Sequence, residues 1–319
     1  MLPTLKDIES ASSVVYEVMQ PTPQYCWPLL CESIGTEVWL KHENHTPVGA
    51  FKIRGGLVYF TNLTQSGQIP QGVISATRGN HGQSVGLAAR RHGIRATIVV
   101  PYHNSSEKNA AMRALGVELI EHGQEFQEAR EQASDLARKE SLHMVPSFHP
   151  WLIAGVATYS IELFKTVPNL DLAYVPIGLG SGICGMLAAR KALGLKTKIV
   201  GVVSAHAEAY AKSFAARKPV ESPVSTKLAD GMACSTTEPA ALELILEGVE
   251  RIVAVTDEEI AAAMRIIFEC THNVSEGAGA AGIAAAMQEK DKIAGLKVAT
   301  VLSGGNVDRN LFASVLAQG

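Results

Sequence analysis

Cysteine is scarce in this chain, and the few cysteines that it has are scattered. The chain of 319 residues has five, and no two of them form a C-x-x-C pair: Cys26, Cys31, Cys184, Cys234 and Cys270. An odd number without close pairs argues against a disulfide framework and against a zinc site. We therefore expect reduced thiols in a cytoplasmic protein.

Long apolar runs are also missing. The first residues, 1–7, contain no basic segment followed by an apolar one, so we predict no signal peptide. No uninterrupted apolar segment reaches the length of a membrane-spanning helix. We predict that the protein has no membrane partner.

An excess of charge of one sign is the third absence. The net charge is −3, which gives no electrostatic reason to expect binding to nucleic acid or to an anionic membrane. Charged residues make up 18% of the chain and apolar residues 47%, as in globular proteins rather than disordered ones. The length suffices for one large or two medium domains.

Strand and helix patterns alternate along the chain. A helix is predicted over 54–63, a short apolar strand over 73–76, and a helix over 81–92 that ends before Gly93. The second half repeats this rhythm from residue 172 onward. Strands that alternate with helices are typical of parallel sheets covered on both faces.

One lysine stands out by its neighbours. A polar turn containing Pro47 and Gly49 leads to Lys52, which lies between the large apolar residues Phe51 and Ile53. Such surroundings can remove water from the ammonium group and lower its pKa, which makes the neutral amine available as a nucleophile. The plain alternative is a surface lysine in a loop.

A glycine-rich segment, 178–185, follows an apolar strand and opens a helix. Its backbone N–H groups and the helix N-terminus suit an anion, and glycine allows close approach. The same segment contains a G-x-G-x-x-G motif at Gly180, Gly182 and Gly185, so a dinucleotide site is an alternative. That motif needs an acidic residue about 20 residues on, at the end of the next strand, and none precedes Glu208 there. A purely structural turn is a third interpretation.

Three ordered segments together resemble one enzyme family. They are 51–55, 75–83 and 178–185, and they are similar to the threonine dehydratase and serine racemase family of pyridoxal-phosphate (PLP) enzymes. The resemblance runs from roughly residue 23 to residue 308. It implies an α/β fold, the tryptophan-synthase-β-like fold type II, with two domains of open, mostly parallel twisted sheets covered by helices. The large domain would comprise 1–70 and 150–319, and a small mobile domain 71–149.

The resemblance also implies a set of residues that bind PLP. Lys52 would hold the cofactor as an imine, Phe51 would pack on a ring face, and Asn80 would bind the phenolic oxygen. The phosphate would lie on backbone N–H groups of the glycine-rich segment, where Leu179 and Ser181 depart from the usual run of glycines. The remaining residues at the cofactor are Gly178, Gly180, Gly182, Glu276, Ser303 and Gly304.

The resemblance places the substrate at residues 77–81, Thr77, Arg78, Gly79, Asn80 and His81, where a helix N-terminus suits a carboxylate. Arg78 is a departure, because the serine racemases have a serine here that acts on the other face of the cofactor. Arginine stays protonated and cannot act as a base at neutral pH, which favours dehydration over racemisation. Arg78 has two further interpretations, a grip on a second substrate carboxylate and a solvated guanidinium.

No metal site is predicted. The racemase-like relatives bind a divalent cation through a glutamate after the strand that follows the glycine-rich segment. Here the matching position is Ser204, and cations such as Mg²⁺ and Ca²⁺ need several oxygen ligands.

The sequence thus predicts a PLP-dependent ammonia-lyase that converts a small β-hydroxy amino acid, L-threonine or L-serine, to a 2-oxo acid and ammonia. A 3-hydroxyaspartate or phenylserine dehydratase and a serine racemase-like enzyme are the alternatives within the family. Two other classes stay open, an NAD-binding oxidoreductase and a non-catalytic protein that binds an anion. The resemblance further implies a homodimer, and we expect no regulatory C-terminal domain.

Overall fold

The computed structural model describes residues 2–67 and 70–318. Its helices are α1 Leu5–Tyr16, α2 Pro28–Ile34, α3 Lys52–Gln65, α4 Asn80–Arg91, α5 Ser106–Ala114, α6 Phe126–Lys139, α7 Pro150–Thr166, α8 Ser181–Ala192, α9 Ala209–Ala216, α10 Pro239–Gly248, α11 Asp257–Thr271, α12 Gly277–Gln288 and α13 Arg309–Leu316. Its strands are β1 Gln24–Cys26, β2 Glu37–His42, β3 Gly72–Ala76, β4 Arg95–Val100, β5 Glu118–Glu121, β6 His143–Met144, β7 Leu172–Pro176, β8 Lys198–Ser204, β9 Arg251–Val255 and β10 Lys297–Leu302. None of the described helices is both long and apolar enough to cross a bilayer.

The larger sheet has six strands in the order β1-β2-β10-β7-β8-β9. Only the edge strand β1 is antiparallel to its neighbour, while the other pairs are parallel. In this register Val298 of β10 lies between Val38 of β2 and Leu172 of β7. The carboxyl ends of β2, β7, β8, β9 and β10 therefore lie at one edge of the sheet.

The smaller sheet has four parallel strands in the order β5-β4-β3-β6. All four strands fall within residues 72–144. Its central strand β3 is buried along its whole length, as its apolar sequence predicts for a strand covered on both faces.

The core of the larger sheet lies on both of its faces. Along β10, Ala299 and Val301 pack in one apolar cluster and Val298 and Leu302 in another, because side chains of a strand alternate between faces. Helices α7 and α8 belong to the first cluster, and α11 and α12 to the second. The predicted fold class, mostly parallel sheets covered by helices, is confirmed.

The division of the chain into two domains stays a prediction. The apolar core of the smaller sheet also takes in Tyr59, Phe60 and Leu63 from α3, together with Leu152 from α7. These four residues come from outside the predicted range 71–149, so both helices pack against the smaller sheet, and α7 also packs in the core of the larger one.

A buried cluster of charges joins β2, α3 and α7. The Arg54 guanidinium donates to Glu43 at 2.7 Å and to Glu162 at 2.6 Å, and neither Arg54 nor Glu43 is exposed. Lys41 donates to the other oxygen of Glu162 at 2.5 Å, and Arg54 also donates to Thr158 at 2.9 Å. Each buried charge thus has an opposite charge and further hydrogen bonds, the condition under which burial is tolerated.

This cluster leads to a prediction about stability. The substitution Arg54→Met leaves two carboxylates buried without their shared cation, so we expect a loss of about 3–5 kcal/mol in the free energy of unfolding. The matched substitution Arg91→Met removes an exposed pair with Glu17 and should cost less than about 1 kcal/mol. Urea titrations of both variants measure the difference, and equal small losses would contradict it.

Candidate active site

A cavity of about 150 Å³ lies where loops from the two sheets meet. Its walls come from the segments that follow β3, β7 and β10 and from the start of α3. Ligand sites of open α/β sheets lie at the carboxyl ends of the strands, and this cavity does too.

The structure brings the predicted site residues together. All but one of them line the cavity: Phe51, Lys52, Thr77, Arg78, Gly79, Asn80, His81, Gly178, Leu179, Gly180, Ser181, Gly182, Glu276 and Ser303. The exception, Gly304, lies directly behind the wall, where its carbonyl accepts the backbone N–H of Glu276 at 3.1 Å.

Lys52 is the first residue of α3, two residues before the predicted start of that helix. Its amine donates to the Ser181 hydroxyl at 3.0 Å and lies 4.9 Å from the centre of the Phe51 ring. No carboxylate of the described residues lies within 4.0 Å of this amine. Burial lowers the pKa of Lys52 to about 8, although nearby Cys234 and Glu276 act in the opposite direction. A much larger share of neutral amine is thus present near neutral pH than for a free lysine.

The main chain around Lys52 is held from several directions. The N–H of Phe51 donates to the carbonyl of Ser303 at 3.0 Å, and the N–H of Gly305 donates to the carbonyl of Gly49 at 2.9 Å. The Ser84 hydroxyl donates to the carbonyl of Lys52 itself at 2.7 Å. The lysine is therefore fixed against the end of β10 and against α4.

The glycine-rich segment presents a row of free donors at the N-terminus of α8. Within the described residues, none of the backbone N–H groups of 178–182 has an acceptor. Gly180 adopts a φ of 101°, which a residue with a side chain rarely does. Tyr210 fixes the segment, because its hydroxyl donates to the Leu179 carbonyl at 3.1 Å and accepts from the N–H of Glu238 at 3.1 Å. This arrangement suits a phosphate.

A second helix N-terminus points into the same cavity. Gly79 caps α4, and its N–H donates to the Thr77 hydroxyl at 3.1 Å. The N–H groups of 80–82 have no acceptor among the described residues. Burial lowers the pKa of His81 to about 3, so its imidazole is neutral and adds no charge here.

The side chain of Asn80 is oriented by two partners. Its amide nitrogen donates to Glu276 at 2.6 Å, and its oxygen accepts from Asn306 at 2.8 Å. Burial raises the pKa of Glu276 to about 7, against the pull of Lys108. This carboxyl group can therefore hold or release a proton near neutral pH.

The sequence patterns did not point to Lys108 or Cys234 as site residues. Lys108 of α5 donates to Asp230 at 2.6 Å and lies 3.7 Å from Glu276. Cys234 lines the cavity, and burial raises the pKa of its thiol to about 11. No local motif marks these two residues, because Lys108 lies within an ordinary helix and Cys234 lies in an irregular segment.

No metal-binding arrangement is found within 2–67 and 70–318, where no three His, Cys, Asp or Glu side chains form a cluster. The Ser204 hydroxyl accepts the N–H of His206 at 3.1 Å, and Glu208 pairs with Lys212 at 3.1 Å.

The chemistry of these residues fits PLP. Within 2–67 and 70–318 the amine of Lys52 has no carboxylate partner and the N–H groups of 178–182 have no acceptor, which suits an aldehyde and its phosphate. The Ser303 hydroxyl lines the same cavity and makes no hydrogen bond to any residue that the structure describes, so it is available to a ring nitrogen. The amine of Lys52 contacts Ser181 and lies near the Phe51 ring, so the groups that would hold the aldehyde and the ring of PLP are next to one another.

Comparisons with known proteins support this fit. The family described as pyridoxal-phosphate dependent enzyme matches residues 15–304. L-threonine ammonia-lyase of Thermotoga maritima is 35% identical over 99% of this chain and 79% of its own length. L-threo-3-hydroxyaspartate ammonia-lyase of Saccharomyces cerevisiae is 30% identical over 99% of this chain and 97% of its own length. The chain spans 58% of the biosynthetic L-threonine dehydratase of Pasteurella multocida, at 34% identity.

Solved structures support the same family assignment. Threonine deaminase isoform 2 of Solanum lycopersicum superposes with a TM-score of 0.90, at 28% identity over 99% of this chain and 94% of that one. Maize serine racemase superposes with a TM-score of 0.92, at 26% identity over 100% and 98%. The predicted fold class, PLP cofactor and ammonia-lyase reaction class are confirmed, and the dinucleotide alternative loses its support. The chain belongs to the family of pyridoxal-phosphate dependent enzymes, with threonine dehydratases and serine racemases among its relatives.

Proposed function

We propose that the protein converts a β-hydroxy amino acid to a 2-oxo acid and ammonia, with one water lost in the elimination and one regained when the nitrogen is released. The observation that carries this proposal is the half-buried amine of Lys52 at the glycine-rich segment, which has no carboxylate partner among the described residues. One relative is named for L-threonine and another for L-threo-3-hydroxyaspartate, which supports the class of β-hydroxy amino acids. L-threonine and L-serine are the first substrates to assay.

Several residues are proposed to hold PLP. Lys52 provides the covalent attachment, Phe51 contacts a ring face, and the N–H groups of 178–182 bind the phosphate. Asn80, Glu276, Ser303 and Gly304 complete the surroundings of the ring. When bound, PLP supplies an electron sink that acidifies the Cα proton of the amino acid.

Lys52 is proposed as the general base for that proton. Its pKa of about 8 keeps a usable share of neutral amine near neutral pH. The Ser181 hydroxyl accepts from the amine at 3.0 Å and orients it. The N-terminus of α4, with Thr77, Gly79 and His81, receives the substrate carboxylate, because free N–H groups and the helix dipole favour an anion there.

Arg78 favours elimination over racemisation, and Ser303 favours elimination over transamination. Arg78 lines the cavity where the racemases would need a second base, and a guanidinium stays protonated. A hydroxyl at Ser303 does not impose a proton on a ring nitrogen as a carboxylate would, which weakens the electron sink and suits β-elimination.

Three broader proposals rest on the resemblance or on composition. The chain divides into a domain of 1–70 and 150–319 and a small, mobile one of 71–149, and it forms a homodimer, both as the resemblance implies. A cytoplasmic location is supported by the five scattered cysteines.

The first prediction concerns Lys52. Lys52→Ala removes both the attachment point and the base, so we expect loss of the yellow imine absorption band and at least about a 10³-fold drop in oxo-acid release. The exposed residue Lys218 offers a control, and Lys218→Ala should keep both properties. Absorption spectra before and after borohydride, with an oxo-acid assay, provide the measurement.

Other outcomes of the same experiment point elsewhere. Undiminished turnover by Lys52→Ala contradicts the role of Lys52. Saturable NADH binding by a colourless wild-type protein indicates an oxidoreductase. Bound PLP without product from any amino acid indicates a binding protein.

The second prediction concerns Gly180. A Cβ at this position would lie 2.6 Å from the Cβ of Ala241, and the φ of 101° is strained for alanine. We expect Gly180→Ala to weaken PLP binding at least about tenfold, because the phosphate-binding N–H groups shift. Gly194→Ala is the control, since Gly194 also has a positive φ, 64°, with no atom within 4 Å. Equal PLP affinity of the two variants, titrated by absorbance, would contradict the phosphate assignment.

The third prediction concerns pH. Lys52 must be neutral to react with PLP, and its pKa is lowered from 10.5 to about 8. The rate of PLP uptake by the apoprotein, relative to that of a free model lysine, should therefore be highest below pH 8. This ratio should fall as pH rises from 8 to 10, because the neutral share of Lys52 can at most double above its pKa while that of the model amine rises many-fold. A ratio that stays constant from pH 6 to 10 would show that burial does not lower the pKa of Lys52.

A further inference from the structure

The side chain of Arg78 has no partner among the residues that the structure describes, although its main chain is fixed. The residue is half-buried and lines the cavity. Its carbonyl accepts from the Asn104 amide at 3.1 Å, and the same amide donates to Asn109 at 2.7 Å. The guanidinium makes no hydrogen bond and no ion pair with any residue in 2–67 or 70–318. Its position is thus set by the backbone, while its charge is left unpaired.

The acidic residues of the cavity are already engaged. Asp230 accepts from Lys108 at 2.6 Å, and Glu276 accepts from Asn80 at 2.6 Å while lying 3.7 Å from Lys108. The stem of Lys108 crosses directly over Gly79, next to Arg78, without supplying an acceptor. Neither carboxylate lies within 4.0 Å of the guanidinium.

The anionic groups of PLP and of an amino acid substrate have other proposed binding partners than Arg78. The phosphate of PLP has the N–H groups of 178–182, and the α-carboxylate has the N-terminus of α4. The amine of Lys52 is used by the cofactor itself. Arg78 is then the one charged group of the described cavity wall with neither a protein partner nor a proposed ligand.

A guanidinium in this setting is suited to a carboxylate. Its planar N–H groups match the two oxygens of a carboxylate, and charge-assisted pairs of this kind are stronger than neutral hydrogen bonds. Partial burial reduces screening by water and so increases the gain from such a pair.

We propose, building on the function proposed above, that Arg78 is a specificity-determining residue that binds the second carboxylate of the substrate. The substrate class is then a β-hydroxy amino acid with an acidic side chain, such as 3-hydroxyaspartate. Lys52 takes the Cα proton, the bond from Cβ to oxygen breaks, and water leaves. A water molecule is taken up again when the nitrogen is released, so one substrate gives one 2-oxo dicarboxylic acid and one ammonia.

The experiment compares substrates and variants of the holoenzyme. We measure kcat and KM of the wild type for L-threonine, L-serine and the L-threo and L-erythro forms of 3-hydroxyaspartate. We also measure them for the 4-methyl esters of the two 3-hydroxyaspartates, in which the second carboxylate is neutralised. We expect a kcat/KM at least about tenfold higher for one 3-hydroxyaspartate than for L-threonine, and a similar loss on its esterification, as for a lost charge-assisted hydrogen bond. The ester comparison needs no substitution and so does not depend on a variant that folds.

The variants are Arg78→Met, Arg78→Lys and the control Arg113→Met. Arg113 is exposed, on α5, so its substitution changes net charge equally but outside the cavity. We expect Arg78→Met to lower kcat/KM for 3-hydroxyaspartate about 10- to 100-fold more than for L-threonine, mainly through KM. Arg78→Lys should restore part of this loss, because it keeps the charge but not the planar group.

The outcomes separate this inference from the function on which it rests. A wild type that turns over L-threonine but neither 3-hydroxyaspartate overturns the role of Arg78 and leaves the ammonia-lyase standing. Equal losses of kcat/KM for 3-hydroxyaspartate and L-threonine in Arg78→Met also overturn it, because the guanidinium then acts on a group that both substrates have. No oxo acid from any β-hydroxy amino acid overturns the proposed function itself.

Discussion

The ion pairs of the buried Arg54 guanidinium are the interactions on which the position of Lys52 depends. Arg54 lies two residues after Lys52 on α3, and it binds carboxylates from the segment before that helix and from α7. Burying three charged groups is costly, and the cost is offset only while all of them stay in register. The helix therefore starts where these charges require. The amine of Lys52 is consequently delivered to the cavity by an anchor that takes no part in its chemistry.

The cavity itself is organised by two helix N-termini, those of α4 and α8. Each provides N–H groups that have no acceptor in the described part of the chain, and each lies at the carboxyl end of a strand from a different sheet. A ligand with two anionic ends can bridge them, and the amine of Lys52 lies beside one of them, at Ser181. In the proposed site, backbone N–H groups bind the anionic groups of the ligand, and the few ionisable side chains serve proton transfer and substrate selection.

The sequence predicted the parts of the molecule that short segments encode. Alternating strands and helices predicted the fold class, and the surroundings of Lys52 and the glycine-rich segment predicted residues that line one cavity. The three-residue strand β1 has no pattern of its own between Pro23 and Pro28, and its pairing depends on β2. Lys108 gave no signal because its partner Asp230 is 122 residues away in the chain. Contacts of this kind depend on the packing of the two sheets, which the local spacing of residues in the sequence does not reveal.

The path of Lys108 over Gly79 has a consequence for how this site can change during evolution. A Cβ at position 79 would lie 2.6 Å from the methylene stem of Lys108, so a side chain there requires this stem to move. The two positions are therefore epistatic: an alanine at 79 displaces the stem of Lys108 and so disturbs its pairing with Asp230, unless residue 108 is shorter.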